Sequence, residues 1–249
     1  MQAKAIELKN VSKSFGSKRV LSGFDLEITR GESVVLLGQS GMGKSVMLRL
    51  VLGLLEPDSG TIKVDGRDIS EFDEAQFYKS NRKIGMLFQN GALFDSMSVW
   101  ENVAFSLLNV ERIGADAARK IAIGKLAEVG LSEKIADMMP ASLSGGMKKR
   151  VGLARAIAND PDIIFFDEPT TGLDPIMSDV INELILRSVK QLGATALTIT
   201  HDINSARKIA DRVVMLLEGK IIWSGRPEDL RRPNNEYVER FVRGISSPE

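Results

Sequence analysis

Short apolar runs rich in Val and Ile alternate along the chain with longer segments whose apolar residues recur every three or four positions. The first pattern predicts strands and the second helices, because side chains alternate across a strand but return to one helix face every 3.6 residues. Strands are predicted at Ala5–Val11, Leu21–Ile28, Ser33–Leu37, Thr61–Val64, Lys83–Phe88, Asp162–Phe166, Ala194–Thr200, Asp211–Leu217 and Lys220–Trp223. The runs Val34-Val35-Leu36-Leu37 and Ile163-Ile164-Phe165-Phe166 have no polar face. Strands of that kind lie inside a mostly parallel sheet covered on both sides, so the pattern predicts an α/β fold with these two at its centre.

Between Asp95 and Asn159 the character turns helical, with Val99–Leu108, Ala115–Val129, Ser132–Met138 and Gly146–Ala158 as predicted helices and no strand-like run among them. This predicts a helical subdomain, residues 95–159, inserted into a core formed by residues 1–94 and 160–230 of a single domain. The turn signals Thr29-Arg30-Gly31-Glu32, Pro57-Asp58-Ser59-Gly60 and Glu218-Gly219-Lys220 punctuate the remainder. Residues 231–249 form a tail in which Asn235–Ile245 places Tyr237, Val238, Phe241 and Val242 on one helical face. That face either packs on its own domain or docks on a second copy.

Composition narrows the field of partners. With 249 residues and 43% of them hydrophobic, the chain can bury a core without cross-links. Lys+Arg at 33 balance Asp+Glu at 33, so no overall positive field exists to hold a phosphate backbone, and nucleic acid is excluded as the main partner. There is no cysteine, hence no disulfide and no thiolate metal site, which suits a reducing compartment and makes the cytoplasm the expected address. Met1-Gln2-Ala3-Lys4-Ala5-Ile6-Glu7 lacks the apolar run of a signal peptide. The most apolar stretch, Val46 to Leu55, is interrupted by Arg49 and too short to span a bilayer.

The chemistry begins after the first buried strand. Gly38-Gln39-Ser40-Gly41-Met42-Gly43-Lys44-Ser45 fits G-x-x-x-x-G-K-[ST] and leads into a helix-period run. Glycines let successive N–H groups converge on phosphates, the helix adds its positive end, Lys44 reaches the β/γ-phosphates and Ser45 is placed for Mg²⁺. The bland alternative is a glycine-rich joint between a strand and a helix. The second buried strand ends in Asp167-Glu168, where Asp167 is suited to hold Mg²⁺ through water and Glu168 to take a proton from the attacking water; alone, such a pair could simply solvate a strand end. His201, the only histidine, follows a third apolar strand and precedes Asp202, a candidate helix cap. It either satisfies a local hydrogen bond or faces the same γ-phosphate as Glu168 from the carboxyl end of the sheet. These residues describe an ATPase or a GTPase without deciding which.

Leu143-Ser144-Gly145-Gly146-Met147, running into Lys148-Lys149-Arg150-Val151, opens a predicted helix with a serine and two glycines. Read alone it is an N-cap and a flexible joint; with exposed N–H groups and the helix dipole it is also a second anion site. It strongly resembles the signature motif of ABC ATPases, and the other motifs of that family occur in order from about Ala5 to Gly225. The resemblance implies that Phe15 stacks on adenine, that Gln89 contacts Mg²⁺ and the water, that Asp174 belongs to the loop Thr171-Gly172-Leu173-Asp174, and that His201 is the switch histidine. Met147 stands where glutamine is commonest, Phe15 where tyrosine is, and Thr171-Gly172 where Ser-Ala is; none of these removes a phosphate or metal ligand.

The resemblance further implies a P-loop NTPase of ABC type, with an antiparallel N-terminal β subdomain beside the mostly parallel core sheet. It implies an ATPase with ATP and Mg²⁺ as cofactors. Two copies close head to tail, so that each signature (Ser144, Gly145, Gly146) completes the other copy's ATP site beneath integral-membrane permease subunits. The segment Phe88 to Val103 and Met147 look like MCE-type phospholipid transporters, the Mla-like systems of bacterial envelopes, which adds an MCE-domain lipid-binding protein as partner and the inner face of the inner membrane as location. The same segment could be the apolar surface that any ABC ATPase offers its membrane subunits. An importer ATPase for another small substrate, a non-transport ABC ATPase and a nucleotide-binding regulator without turnover remain as alternatives; the full set of hydrolytic residues argues against the last.

Overall fold

The computed structural model describes residues 3–69 and 83–245. Met1 and Gln2, and residues 246–249 of the tail, lie outside the described residues. The chain divides into two compact units, one of Met1–Tyr78 with Leu197–Glu249 and one of Lys79–Ala196. The described strands are β1 (Lys4–Phe15), β2 (Lys18–Thr29), β3 (Ser33–Leu37), β4 (Ser59–Val64), β5 (Arg67–Asp68), β6 (Ile84–Leu87), β7 (Ile163–Asp167), β8 (Thr195–Thr200), β9 (Arg212–Leu217) and β10 (Lys220–Gly225). The described helices are α1 (Lys44–Val51), α2 (Val99–Val103), α3 (Phe105–Asn109), α4 (Ala115–Glu128), α5 (Gly145–Ala156), α6 (Pro175–Leu192), α7 (Ile203–Ile209) and α8 (Glu236–Val242).

In the first unit, β1 and β2 form a long antiparallel hairpin, Ile6 opposite Ile28 and Phe15 opposite Lys18, within a four-stranded sheet ordered β2-β1-β4-β5. Alternation sets its face: Leu21, Phe24, Leu26 and Ile28 are buried while Asp25 and Glu27 point to water. This is the expected antiparallel N-terminal sheet. The second sheet runs β10-β9-β3-β8 in this unit, with β3 parallel to β9. Every residue of β3 is buried, as its uninterrupted apolar pattern requires. The β9–β10 hairpin turns on Glu218 and Gly219, both at positive φ (47° and 75°), the backbone of a two-residue turn whose twist matches the strands. In the tail, α8 buries Val238 completely and is capped by Asn235, which accepts from the Val238 N–H.

In the second unit β7 pairs with β6 in parallel, Ile163 opposite Ile84 and Phe166 opposite Leu87. Its regular elements between Val99 and Ala156 are helical. The predicted helix Val99–Leu108 is two helices meeting at Ala104, whose ψ of 4° breaks the spiral. Both pieces still turn Val99, Val103 and Leu107 inward, so the periodicity survives the break. The predicted helix Ser132–Met138 contains only a 3₁₀ turn at Glu133–Ile135. The carbonyls of Ala136 and Met138 instead accept from the N–H groups of Trp100 and Val99, donors that the first turn of α2 leaves without intrahelical partners. Helix α6 has no counterpart among the predicted elements, although Asp174 caps it, Pro175 occupies its first turn and Gly193 ends it at φ 61°. Among the described residues no helix is long and apolar enough to cross a membrane.

Candidate nucleotide site

The candidate residues divide between the units: Phe15, Gly38–Ser45 and His201 belong to the first, and Gln89, Ser144–Gly146, Asp167, Glu168 and Asp174 to the second. In the first, the buried β3 runs into a loop that turns at Gly41 (φ 81°) and Gly43 (φ 98°) before α1. A Cβ on Gly43 would lie 2.9 Å from Val20 Cγ1 and 3.1 Å from the Val20 carbonyl oxygen, and one on Gly38 would lie 2.8 Å from the Leu216 carbonyl oxygen. Both positions therefore need glycine for space, and Gly43 also for its backbone angle. Gln39, Ser40 and Gly41 are exposed, while Lys44 is buried. The Lys44 ammonium donates to the carbonyls of Gly38 and Gln39. An anion cradle results, with exposed loop amides, a helix N-terminus and a buried cation under the loop.

His201 follows β8, a neighbour of β3, and is exposed. Next to it Asp202 caps α7, accepting from the N–H groups of Asn204 (3.1 Å) and Ser205 (3.0 Å) as expected. Phe15 sits at the tip of the β1–β2 hairpin, 49% exposed, with the Lys13 ammonium 5.8 Å from its ring centroid. An exposed aromatic ring at a hairpin tip offers a free face for stacking.

In the second unit, β7 buries Ile163 to Phe166 and brings Asp167 and Glu168 to the surface half-buried. Glu168 has φ 47°, a left-handed backbone uncommon for a side chain of its size. Two contacts with Thr171 hold it: the Thr171 N–H donates to its carbonyl and the Thr171 hydroxyl to Oε2 at 2.9 Å. Gln89 is exposed two residues beyond β6, just ahead of a turn closed by the Gly91 N–H on the Phe88 carbonyl. Ser144 caps α5 by accepting from the Met147 N–H at 3.3 Å. Ser144 and Gly145 are exposed, but Gly146 is buried, and a Cβ there would lie 2.8 Å from Met177 Cε. Asp174 is exposed and accepts from the Met177 N–H at 2.9 Å, capping α6.

Three residues outside the predicted set organise this half. Lys149 is buried on α5 and donates to the carbonyls of Pro169 (2.8 Å) and Thr171 (2.6 Å), with the Glu168 carbonyl at 3.4 Å. Burial pushes its pKa down to about 8, the Glu168 charge acting against that shift. Arg155, two turns further on, donates to the carbonyls of Gly91 (2.7 Å) and Ala92 (2.8 Å), and burial lowers its pKa too. Asn102, wholly buried, accepts from the Phe94 N–H and donates to the carbonyls of Phe94, Met97 and Ser98, pinning the segment after Gln89. The legible signal for Lys149 was its place with Gly152, Leu153 and Ala156 on the buried stripe of α5.

A glycine cradle between a buried strand and a helix, with a second buried strand ending in Asp-Glu, defines a P-loop nucleoside triphosphatase, and the Ser-Gly-Gly helix start makes it one of ABC type. The chain belongs to the ABC transporter family, whose model matches residues 21–171, and it is an ATP-hydrolysing subunit of that family. It is similar to the "Probable ribonucleotide transport ATP-binding protein mkl" of Mycobacterium leprae (strain TN), with 43% identity covering 96% of this chain and 69% of that protein. It is also similar to the "Intermembrane phospholipid transport system ATP-binding protein MlaF" of Haemophilus influenzae, with 39% identity covering 99% of this chain and 93% of the relative. Among solved structures it resembles the dimeric post-hydrolysis state of the ATP-binding cassette MJ0796 bound to ADP and Pi, with TM-score 0.82, 34% identity, and 89% of this chain and 98% of that one covered.

ATP fits the cradle by its chemistry, since a triphosphate is the anion that a glycine turn at a helix N-terminus with the buried Lys44 ammonium beside it is suited to bind. Among the described residues no group of three or more His, Cys, Asp or Glu side chains could hold a metal unaided. Mg²⁺ does not need one, since it is commonly held by a carboxylate or two together with hydroxyl, water and phosphate oxygens.

Proposed function

We propose that the chain drives phospholipid transport as the ATPase of an MCE-type, Mla-like system. Two copies bind ATP head to tail beneath integral-membrane permease subunits, at the inner face of the cell inner membrane, with an MCE-domain protein as a further partner. The P-loop amides and Lys44 hold the phosphates, Phe15 stacks on adenine, and Ser144, Gly145 and Gly146 face the γ-phosphate of the other copy's nucleotide. Ser45, Asp167 and Gln89 hold Mg²⁺, which supplies neutralisation of charge at the phosphate oxygens when bound. Glu168 accepts the proton of the attacking water, His201 steadies the γ-phosphate, and Asp174 lies in the loop that follows Glu168. Hydrolysis splits the γ-phosphate that both copies share from ADP as inorganic phosphate, the two anionic products repel and leave, and the dimer opens.

The observation that carries the hydrolytic part is Glu168 at the end of a buried strand, its carboxylate oriented by the Thr171 hydroxyl at 2.9 Å. The cargo is supported by near full-length similarity to proteins named for intermembrane phospholipid transport, MlaF of Escherichia coli (strain K12) among them at 37% identity over 98% of this chain. A second reading, ribonucleotide transport, is favoured by the 43% identical mycobacterial relatives named for it.

The test is purification of the tagged chain from native membranes in mild detergent, mass spectrometry of bound proteins and lipids, and ATP turnover with each cargo added. A permease, an MCE-domain protein and co-purified phospholipid that stimulates turnover support the proposal. Stimulation by ribonucleotide without phospholipid transfers the cargo to the second reading, and recovery of ribosomes or DNA with no membrane partner overturns the assembly.

A further inference from the structure

Lys149 is 5% exposed, and its contacts are main-chain carbonyls of one short loop, those of Glu168 (3.4 Å), Pro169 (2.8 Å) and Thr171 (2.6 Å). An ammonium has three N–H donors, so the three carbonyls can take all of them. Lysine is rarely buried, because its charge must be compensated where water is excluded, and here the compensation comes from the loop that carries the hydrolytic carboxylate. That loop needs restraint. Glu168 sits at φ 47°, a conformation that persists only when surrounding contacts over-determine it. The Thr171 hydroxyl that orients the Glu168 carboxylate belongs to the same residue whose carbonyl Lys149 holds most closely. Lys149 also stands one turn inside α5, whose first residues are Gly145 and Gly146 and whose cap is Ser144.

We propose that Lys149 is a positioning residue for hydrolysis: its ammonium clamps residues 168–171, fixes Glu168 and Thr171 in mutual register, and ties that loop to the signature end of α5. The clamp makes turnover depend on where the signature helix stands, so that a shift of its N-terminus in the assembled dimer moves the base of the same chain. This rests on the assignment of Glu168 as the base.

The test compares Lys149→Met, which keeps the stem and removes every donor, with Lys149→Gln, which restores amide donors on a shorter stem. Steady-state ATP hydrolysis, nucleotide binding and thermal melting are measured on the full chain, with Glu168→Gln alongside. The expected result for Lys149→Met is a kcat at least about 30-fold lower with KM and nucleotide affinity within about threefold of wild type, and for Lys149→Gln a recovery of at least about fivefold over Met. A purely structural lysine predicts another pattern, a lowered melting temperature with kcat unchanged per nucleotide-binding molecule. That pattern, or a kcat within threefold of wild type for Lys149→Met, overturns the clamp. Should Lys149→Met fail to fold, Lys149→Leu, which also removes every donor, decides on the same ratio, its active fraction counted by nucleotide stoichiometry. If Glu168→Gln itself retains turnover, the base assignment falls; if it abolishes turnover while Lys149→Met does not, only the clamp falls.

Discussion

Replacing Arg155 by Met tests how firmly α5 holds the segment that follows Gln89. The guanidinium donates at 2.7 Å to the carbonyl of Gly91, a buried residue, at 2.8 Å to that of the exposed Ala92, and lies 5.8 Å from the Phe94 ring centroid. Losing a charge-assisted partner at the buried carbonyl costs about 1.5–3 kcal/mol. The Ala92 carbonyl can turn to water, so its loss adds about 0.5 kcal/mol. The cation–π contact contributes about 0.5–1 kcal/mol. Against these stands relief from burying the cation, an unfavourable condition that its lowered pKa registers, and the thioether stem refills most of the space. The net expectation is a destabilisation of about 2 kcal/mol, or a fall in Tm of roughly 4–8 °C for a chain of this size. Circular-dichroism melts provide the assay. Arg150→Met on the same helix serves as control, since its guanidinium donates to the Gly130 carbonyl through a long, exposed 3.3 Å hydrogen bond, and its Tm should move by about 1–2 °C. A Tm for Arg155→Met within about 1 °C of wild type, or a control that falls as far, refutes the reasoning.

Gly43→Ala must place a Cβ 2.9 Å from Val20 Cγ1 at φ 98°, a strain of about 2–3 kcal/mol, and nucleotide affinity measured by titration calorimetry should drop at least about tenfold. Lys44→Ala should weaken nucleotide binding itself, and unchanged affinity would remove the loop from the account. Gly152→Ala brings a Cβ to 2.9 Å from Leu87 Cδ1 and 3.1 Å from Gly91 Cα, so urea melts should show a loss of about 1–3 kcal/mol. The Ser98 hydroxyl, then the Ser98 N–H, hold the Glu101 carboxyl below its ordinary value of 4.5 in the capping box of α2. A depressed folded pKa contributes stability above the unfolded value that is lost as pH falls through the folded one. Wild type should therefore exceed Glu101→Gln by about 0.5–1 kcal/mol at neutral pH, with the gap closing in melts below pH 4.5; a constant gap would count against the pairing.

Much of the fold was legible because its cause is local. The φ values of Gly41 and Gly43 demand glycine wherever the chain turns that way, and β3 and β7 read as central strands because neither has a polar face. The caps at Asp202 and Ser144 and the Glu218-Gly219 turn follow the same logic. The segment Ser132–Met138 misled because helical spacing does not say where carbonyls will be spent, and those of Ala136 and Met138 go to α2. Helix α6 was equally legible in principle, from Asp174, Pro175 and Gly193 at its ends.

By itself the amino-acid sequence determined the phosphate loop, the acid pair at the end of β7 and the capped start of α5, since each is a conformation that a few neighbouring residues dictate. Only the tertiary structure decided what holds them. Lys149 meets its carbonyls 19 to 22 residues away and Arg155 meets its own 63 and 64 residues away. The helical stripe that Lys149 shares with Gly152, Leu153 and Ala156 marks it as inward-facing, but not which carbonyls its ammonium meets. The physical reason is that a carbonyl carries no residue identity, so a contact between a buried cation and distant main chain leaves almost no trace in the order of side chains.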